Sequence, residues 1–362
     1  MRALVVNPGS TSLKLSIVDD GVPVDGAVVA DWDGGPELPA IAELVFRNGR
    51  VDAVGLRVVH GGDRTGPTPL DENEIAALSR FEPTVPVHQP RALGLARALL
   101  RAMPGVPLFG CYDTTFHTRL PDHAATYPIP AAWRHRFDIR RYGFHGLSCA
   151  NALRRTADLL GRAADSLSLI CCHLGGGVSV TAIQDGHSVD TSMGFTPLDG
   201  APMTTRPGSL DPGLVLHLLR ELPLAEVESG LNHRSGLAGL SGTSGDLREV
   251  LARRAGGFAE AERAVQVYLH RLCREIAAAR VSLRCLDALV LTGGVAEHQP
   301  GLCAELVGGL AFLGLATDPA ALRGSGDRVV SPDWATSRVL VVRAAEELEI
   351  ARELGTVLTA VH

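Results

Sequence analysis

At 362 residues the chain is longer than one ordinary domain and fits two, each large enough to bury its own core. Its 46% hydrophobic and 20% charged residues describe a compact globular protein, not a disordered one. A net charge of −6 argues against a nucleic-acid or membrane-surface binder, which would carry a basic patch or stripe.

The opening stretch MRALVVNPGS has an apolar run too short for a signal peptide or a membrane span, so it reads as the first strand of a cytoplasmic protein. The seven cysteines are scattered, with no metal-like pair separated by two residues, and are expected to be reduced thiols.

Ala3 to Val6 is followed by a turn rich in glycine and hydroxyls, then by a strand from Leu13 to Val18 that ends at Asp19-Asp20-Gly21. The same plan recurs downstream: Leu169 to Cys172, Gly175-Gly176-Gly177, Val178 to Ile183, then Asp185-Gly186. Two unrelated hairpins would also read this way, since Asp-Gly is a common turn pair. A domain-scale duplication is the stronger reading. Each half would then present a glycine-rich hairpin to a shared cleft, where backbone N–H groups approach phosphate oxygens.

Arg57 lies inside the hydrophobic run Val51 to Val59. An unpaired buried arginine costs several kcal/mol, so this one must face a site or find a carboxylate. Pro90 opens a helix through Met103, and Val106 to Cys111 is a strand ending at Asp113. That is where open α/β sheets place their active sites, though Asp113 also suits a helix N-cap. Arg140-Arg141-Tyr142-Gly143-Phe144-His145-Gly146 joins basic groups to a turn, where His145 reads either as structural or as an oxyanion ligand.

The long segment that follows Asp185-Gly186, as far as Gly213, is rich in hydroxyls and glycine and carries one arginine, Arg206. Ser235 to Arg248 is a second glycine and serine run, Glu260 to Ala279 is an amphipathic helix with Val265, Leu269, Leu272, Ile276 and Ala279 in one core-facing stripe, and Ala288 to Leu291 is a strand leading into Gly293-Gly294. Val339 to Val342 is the last strand. Glu346-Glu347 then opens a terminal helix, and acids there also serve its dipole.

Together these strings resemble the acetate kinase (acetokinase) family, within the actin, heat-shock ATPase and sugar-kinase superfamily. The resemblance rests on Asn7-Pro8-Gly9-Ser10-Thr11-Ser12-Leu13-Lys14, Arg57-Val58-Val59-His60-Gly61-Gly62 and Asp113-Thr114-Thr115-Phe116-His117. It continues through Arg140-Arg141-Tyr142-Gly143-Phe144-His145-Gly146, His173-Leu174-Gly175, Asp190 to Leu198, Thr205-Arg206, Ser241-Gly242, Asp246-Leu247-Arg248 and Glu346-Glu347-Leu348.

The resemblance implies an α/β fold of two duplicated ribonuclease H-like (actin-like ATPase) domains, with mixed sheets flanked by helices and a cleft between them. The expected boundaries are residues 1–113 plus 347–362 for an N-terminal domain, and 114–346 for a C-terminal nucleotide-binding domain. The terminal helix is expected to cross back to the first domain. It further implies reversible, Mg²⁺- or Mn²⁺-assisted in-line phosphoryl transfer between ATP and a short-chain carboxylate, in a homodimer without nucleic-acid or membrane partners.

Catalysis is implied for Arg57, Asp113, His145, His173 and Arg206, with metal contacts from Asn7 and Glu346. Arg57, Val59, Val87, Phe144 and Pro197 would receive the acid. Ser12, Lys14, His173, Gly175, Gly176, Gly177, Asp246, Leu247, Arg248, Gly294, Val295 and His298 would receive the nucleotide.

The chain also departs from the family pattern. Val87-His88-Gln89-Pro90 stands where relatives commonly read Leu-His-Asn-Pro, Gly176 stands for an asparagine, and Ala296 and His298 stand for glycine and asparagine. The shortened side chain at Val87 could admit propionate in place of acetate. The alternatives are a propionate or butyrate kinase of the same family, a nucleotide-binding regulatory protein that kept the fold without the chemistry, and a sugar kinase. The apolar Val59, Phe144 and Pro197 oppose the last.

Overall fold

A computed structural model describes residues 1–9, 12–35 and 37–360; Ser10 and Thr11 of the first glycine-rich turn lie outside the described residues. The chain divides into two units. One comprises residues 1–118, 144–151 and the stretch from 345 onward, and the other comprises 119–143 and 152–344.

The first unit holds β1 (Arg2–Pro8), β2 (Ser12–Asp19), β3 (Val22–Ala30), β4 (Ala53–Val58), β5 (Thr68–Pro69) and β6 (Leu108–Tyr112), in the order β3-β2-β1-β4-β6-β5. The strands β1, β4 and β6 run parallel, while β2, β3 and β5 are antiparallel to their neighbours. The period-2 geometry of a strand divides β1 between two cores. Leu4 and Val6 pack with Leu56, Leu93 and Leu99 on one face; Ala3 and Val5 pack with Ile350, Ala351 and Leu354 on the other.

The second unit repeats this plan with β7 (Ser168–Leu174), β8 (Val178–Gln184), β9 (His187–Thr191), β10 (Ala288–Thr292), β11 (Arg328–Val329) and β12 (Arg338–Val342). Its order is β11-β12-β10-β7-β8-β9, with β7, β10 and β12 parallel and the other three antiparallel. Matching β1 with β7 and β4 with β10 brings both order and direction into agreement, so the duplication read from the hairpins extends to the whole sheet.

Two segments lie differently from the sequence reading. The run from Ser235 contains a helix, Gly236–Ser241, and the helical stripe at 260–279 is centred on Val265, Tyr268, Leu272 and Ile276, with Leu269 only half-buried. The terminal helix Glu346–Ala360 packs on β1 and β4 of the first unit, as expected. That packing is close. A Cβ on Gly55 would stand 2.5 Å from Cγ2 of Ile350, so only glycine lets this helix sit so near β4. No helix among the described residues is long and apolar enough to cross a membrane.

Candidate active site

In the first unit the candidate residues lie at the carboxyl ends of the parallel strands, the edge at which open α/β sheets bind ligands. Asn7 is near the end of β1, Arg57 is the penultimate residue of β4, and Asp113 follows β6. Arg57 Nε and Nη2 donate to the two oxygens of Asp113 at 2.9 and 2.6 Å. Its Nη1 donates to Asn7 Oδ1 at 3.1 Å and lies 3.2 Å from Glu346 Oε2. Asn7 Nδ2 donates to that same Glu346 oxygen at 2.8 Å.

Arg57 has therefore found two carboxylates. Burial opposes its charge, but Asp113 and Glu346 outweigh burial and hold its pKa above the ordinary value. Burial raises the Asp113 pKa against the pull of Arg57, and Glu346 adds to the rise. The geometry excludes the N-cap alternative for Asp113, because Thr114 precedes the short Thr115–His117 helix and the Asp113 carboxylate is gripped by Arg57.

The loop that carries His145 is tied to the same aspartate. His145 takes a left-handed conformation with φ of 59°, and its backbone N–H lowers the Asp113 pKa by hydrogen bonding. Gly146 N donates to the Asp113 carbonyl at 2.8 Å, and a Cβ at Gly146 would overlap that carbonyl oxygen. The left-handed backbone at His145, costing about 1 kcal/mol, is thus held by contacts on either side.

Of the apolar residues expected to receive the acid, Val59 and Phe144 are buried and Val87 is half-buried. Ser12 is half-buried and Lys14 is exposed on β2, paired in register with Asn7.

Arg206 in the second unit differs from Arg57. The turn beneath it is rigid: the N–H groups of Ser235, Leu237 and Ala238 donate to the carbonyls of Thr205, Met203 and Thr204, each at 2.9 Å. The helix missed in the sequence explains this, because its first N–H groups cap that turn. Arg206 Nη1 donates to the Pro197 carbonyl at 3.2 Å, and among the described residues no carboxylate lies within ion-pair distance. Burial alone lowers its pKa to about 10. At neutral pH it remains a cation.

Arg141, by contrast, is structural. It donates to the carbonyls of Thr191 and Ser192 and to Asp199.

Of the remaining candidates, His173 and Gly175 to Gly177 lie at the end of β7, and Gly294, Val295 and His298 follow β10. His173 is half-buried, and a Cβ at Gly175 would lie 3.2 Å from its Nε2. Gly176 has room, the nearest atom to a Cβ being Thr204 Oγ1 at 3.9 Å; Gly294 has nothing within 4 Å. The glycine required by the backbone is Gly293, with φ of 89° and a Cβ position 2.6 Å from the Leu174 carbonyl. Val295 is half-buried and His298 exposed. Asp246 caps the Leu247–Ala255 helix through the Arg248 N–H at 2.8 Å and pairs with the exposed Arg248 side chain, while the Leu247 side chain is buried.

Residues 40–352 match the family model of the Acetokinase family. The chain belongs to that family. It is 43% identical over 324 residues to acetate kinase from Synechococcus sp., covering 88% of this chain and 78% of the relative. It is 38% identical over 392 aligned positions to acetate kinase from Streptomyces coelicolor, covering 97% and 96%. Among solved structures, Porphyromonas gingivalis acetate kinase superposes with a TM-score of 0.86 at 29% identity, covering 99% of both chains. A propionate kinase from Francisella tularensis superposes with a TM-score of 0.89 at 29% identity, covering 97% of this chain and 98% of the other. Asn7, Arg57, Asp113 and Glu346 thus form one cluster, and among the described residues Arg206 has no counter-ion.

Sequence reasoning missed the partners that hold this geometry. Gln89, fully buried, reads in sequence only as a departure from the Leu-His-Asn-Pro pattern, before a helix-opening proline. Arg64, Glu74, Thr68 and Tyr112 form a network behind the His60-Gly61-Gly62 turn, with Arg64 bound to Glu74 and to the Gly61 carbonyl. A glutamine before a proline and an arginine after a glycine pair carry no local signal of such roles.

Proposed function

We propose that this protein is a short-chain carboxylate kinase with acetate as its first substrate. A carboxylate oxygen attacks the γ-phosphorus of ATP, the bond to the β–γ bridging oxygen breaks, that oxygen leaves on ADP, and an acyl phosphate forms. The observation that carries the reading is Arg206, a partly buried cation on a hydrogen-bonded turn whose side chain, among the described residues, meets a carbonyl but no carboxylate. Such a group is an anion receptor, and phosphoryl transfer needs fixed positive charge and alignment more than covalent help.

Arg206 and the remaining donor capacity of Arg57 would stabilise the equatorial oxygens of the moving phosphoryl group and hold the acid. His145 and His173 would contact the same oxygens. Val59, Val87, Phe144 and Pro197 would wall the acyl group. Ser12, Lys14, Gly175 to Gly177, Asp246 to Arg248, Gly294, Val295 and His298 would receive the nucleotide.

Among the described residues no group of three or more histidine, cysteine or acidic side chains forms a metal cage. The donors that are present still fit Mg²⁺ or Mn²⁺, which take one or two carboxylates together with phosphate oxygens and water. Asp113, Glu346 and Asn7 offer such oxygens. A metal bound there would neutralise phosphate charge. Glu346→Gln should weaken Mn²⁺ retention by the protein–ADP complex in a paramagnetic-resonance titration, and unchanged retention removes Glu346 from this role.

Trapping acyl phosphate as the hydroxamate, with acetate, propionate and butyrate against ATP, GTP and pyrophosphate, tests the whole reading. Product from acetate and ATP is expected. Its absence with every acid overturns the kinase reading and leaves the regulatory one. Propionate preference is the second reading, carried by the shortened side chain at Val87. The protein is further taken to be a cytoplasmic homodimer, the dimer being checked by light scattering.

A further inference from the structure

The Gln89 side chain is fully buried, and its amide is spent on backbone groups, chiefly those of His60. Its Oε1 accepts from His60 N–H at 3.1 Å, and its Nε2 donates to the His60 carbonyl at 2.9 Å and to the Leu78 carbonyl at 3.3 Å. Both polar backbone groups of His60 are therefore answered by one side chain, as a neighbouring strand would answer them. This happens just where β4 has ended and no strand is available. Leaving either group buried and unpaired would cost about 1–3 kcal/mol.

His60 is also the hub of the wall. Its ring stacks on Phe81 at 4.0 Å with an interplanar angle of 8° and meets Phe144 edge-on at 5.6 Å. Burial, together with repulsion from Arg80 and Arg64, lowers its pKa to about 3, so the ring is neutral at working pH. Gly62 N–H donates to His60 Nδ1 at 3.1 Å, which assigns the ring proton to Nε2. Val59 precedes His60 in the chain, Phe144 touches its ring, and Val87 lies two residues before Gln89. Three of the four residues assigned to the acyl wall thus connect to the one amide.

We propose that Gln89 is a positioning residue that sets acid selectivity: by clamping both backbone groups of His60 it fixes where Val59 and Phe144 stand. The inference rests on the carboxylate-kinase reading. Gln89 touches neither the phosphoryl group nor the acid, so its effect passes through the wall. The side-chain length matters. Asparagine is shorter by about 1.5 Å, one carbon–carbon bond, and cannot span to both His60 groups without drawing the turn toward the Gln89–Ala102 helix.

The test measures kcat and KM for acetate, propionate and butyrate in wild type, Gln89→Met and Gln89→Asn. Methionine keeps the volume and removes the amide; asparagine keeps the amide and removes reach. Expected is a change of about threefold or more in the propionate-to-acetate ratio of kcat/KM in both variants, carried mainly by the acid KM, while the KM for ATP stays within about twofold.

If Gln89→Met fails to fold, Gln89→Asn alone decides. A variant with a lowered Tm but an unchanged ratio across the acids overturns the inference and leaves Gln89 a core residue. A wild type that makes no acyl phosphate from any acid overturns the kinase reading and this inference with it. Active wild type with unshifted variants overturns this inference alone.

Discussion

The two arginines that the sequence singles out, one in each unit, are opposites. Arg57 spends three hydrogen bonds and an ion pair on Asn7, Asp113 and Glu346; Arg206 spends one hydrogen bond on a carbonyl. Burial opposes the charge of both, but the carboxylates around Arg57 raise its pKa, while Arg206 has nothing to offset burial and falls to about 10. A satisfied arginine organises its surroundings. An unsatisfied one carries its charge as a cost to the folded state, which is why we propose it as the receptor of an anionic ligand.

Removal of each charge separates these roles. Arg57→Ala leaves two buried carboxylates facing each other and should destabilise the protein by about 3–5 kcal/mol, read as a lower midpoint in urea, together with loss of turnover. Arg206→Ala should lower kcat by on the order of 10²-fold or more, with a Tm at or up to about 3 °C above wild type. Near-normal turnover in Arg206→Ala, or a Tm drop equal to that of Arg57→Ala, would erase the distinction.

Titration sharpens it further. Arg206 is fully charged at neutral pH and loses that charge as pH rises through about 10, so kcat/KM should show a basic limb there. The stability sign is opposite. A cation whose folded pKa lies below its unfolded value weakens the fold while charged, and this penalty lifts above about 10. An activity profile flat through pH 10.5 would count against the assignment.

Smaller effects test the packing beneath each site. Gly55→Ala should cost about 1–3 kcal/mol by pressing a methyl group against Ile350, visible in thermal melts. Gly176→Asn meets open space, so it should leave Tm unchanged and add a side-chain donor, lowering the KM for ATP by about two- to tenfold. A drop in Tm would show that the space is not open.

Much of this was legible in the sequence, for physical reasons that differ by site. Arg57 announced itself because a charge in an apolar strand demands a partner, and the partners proved to be Asp113 and Glu346. The duplication was legible through its two hairpins, since Asp-Gly turns and glycine runs recur in order. The helix Gly236–Ser241 was not, because glycine and serine disfavour helix locally and its N–H groups are satisfied by the carbonyls of 203–205, a tertiary contact. Gln89 was hidden for a related reason: its partners lie across the fold at His60 and Leu78, and nothing adjacent in sequence reports them.

The helix Glu346–Ala360 has a consequence for biosynthesis. It closes one face of the first sheet through Ile350 and Leu354, and its first residue supplies the second carboxylate around Arg57. On the ribosome this segment emerges after the whole second unit. The earliest residues made must wait for some of the last, holding an uncovered sheet face and a half-neutralised arginine in the meantime. The second unit can mature on its own schedule, whereas the first completes only when synthesis has passed residue 354, and premature termination upstream of that point should yield chains that chaperones retain.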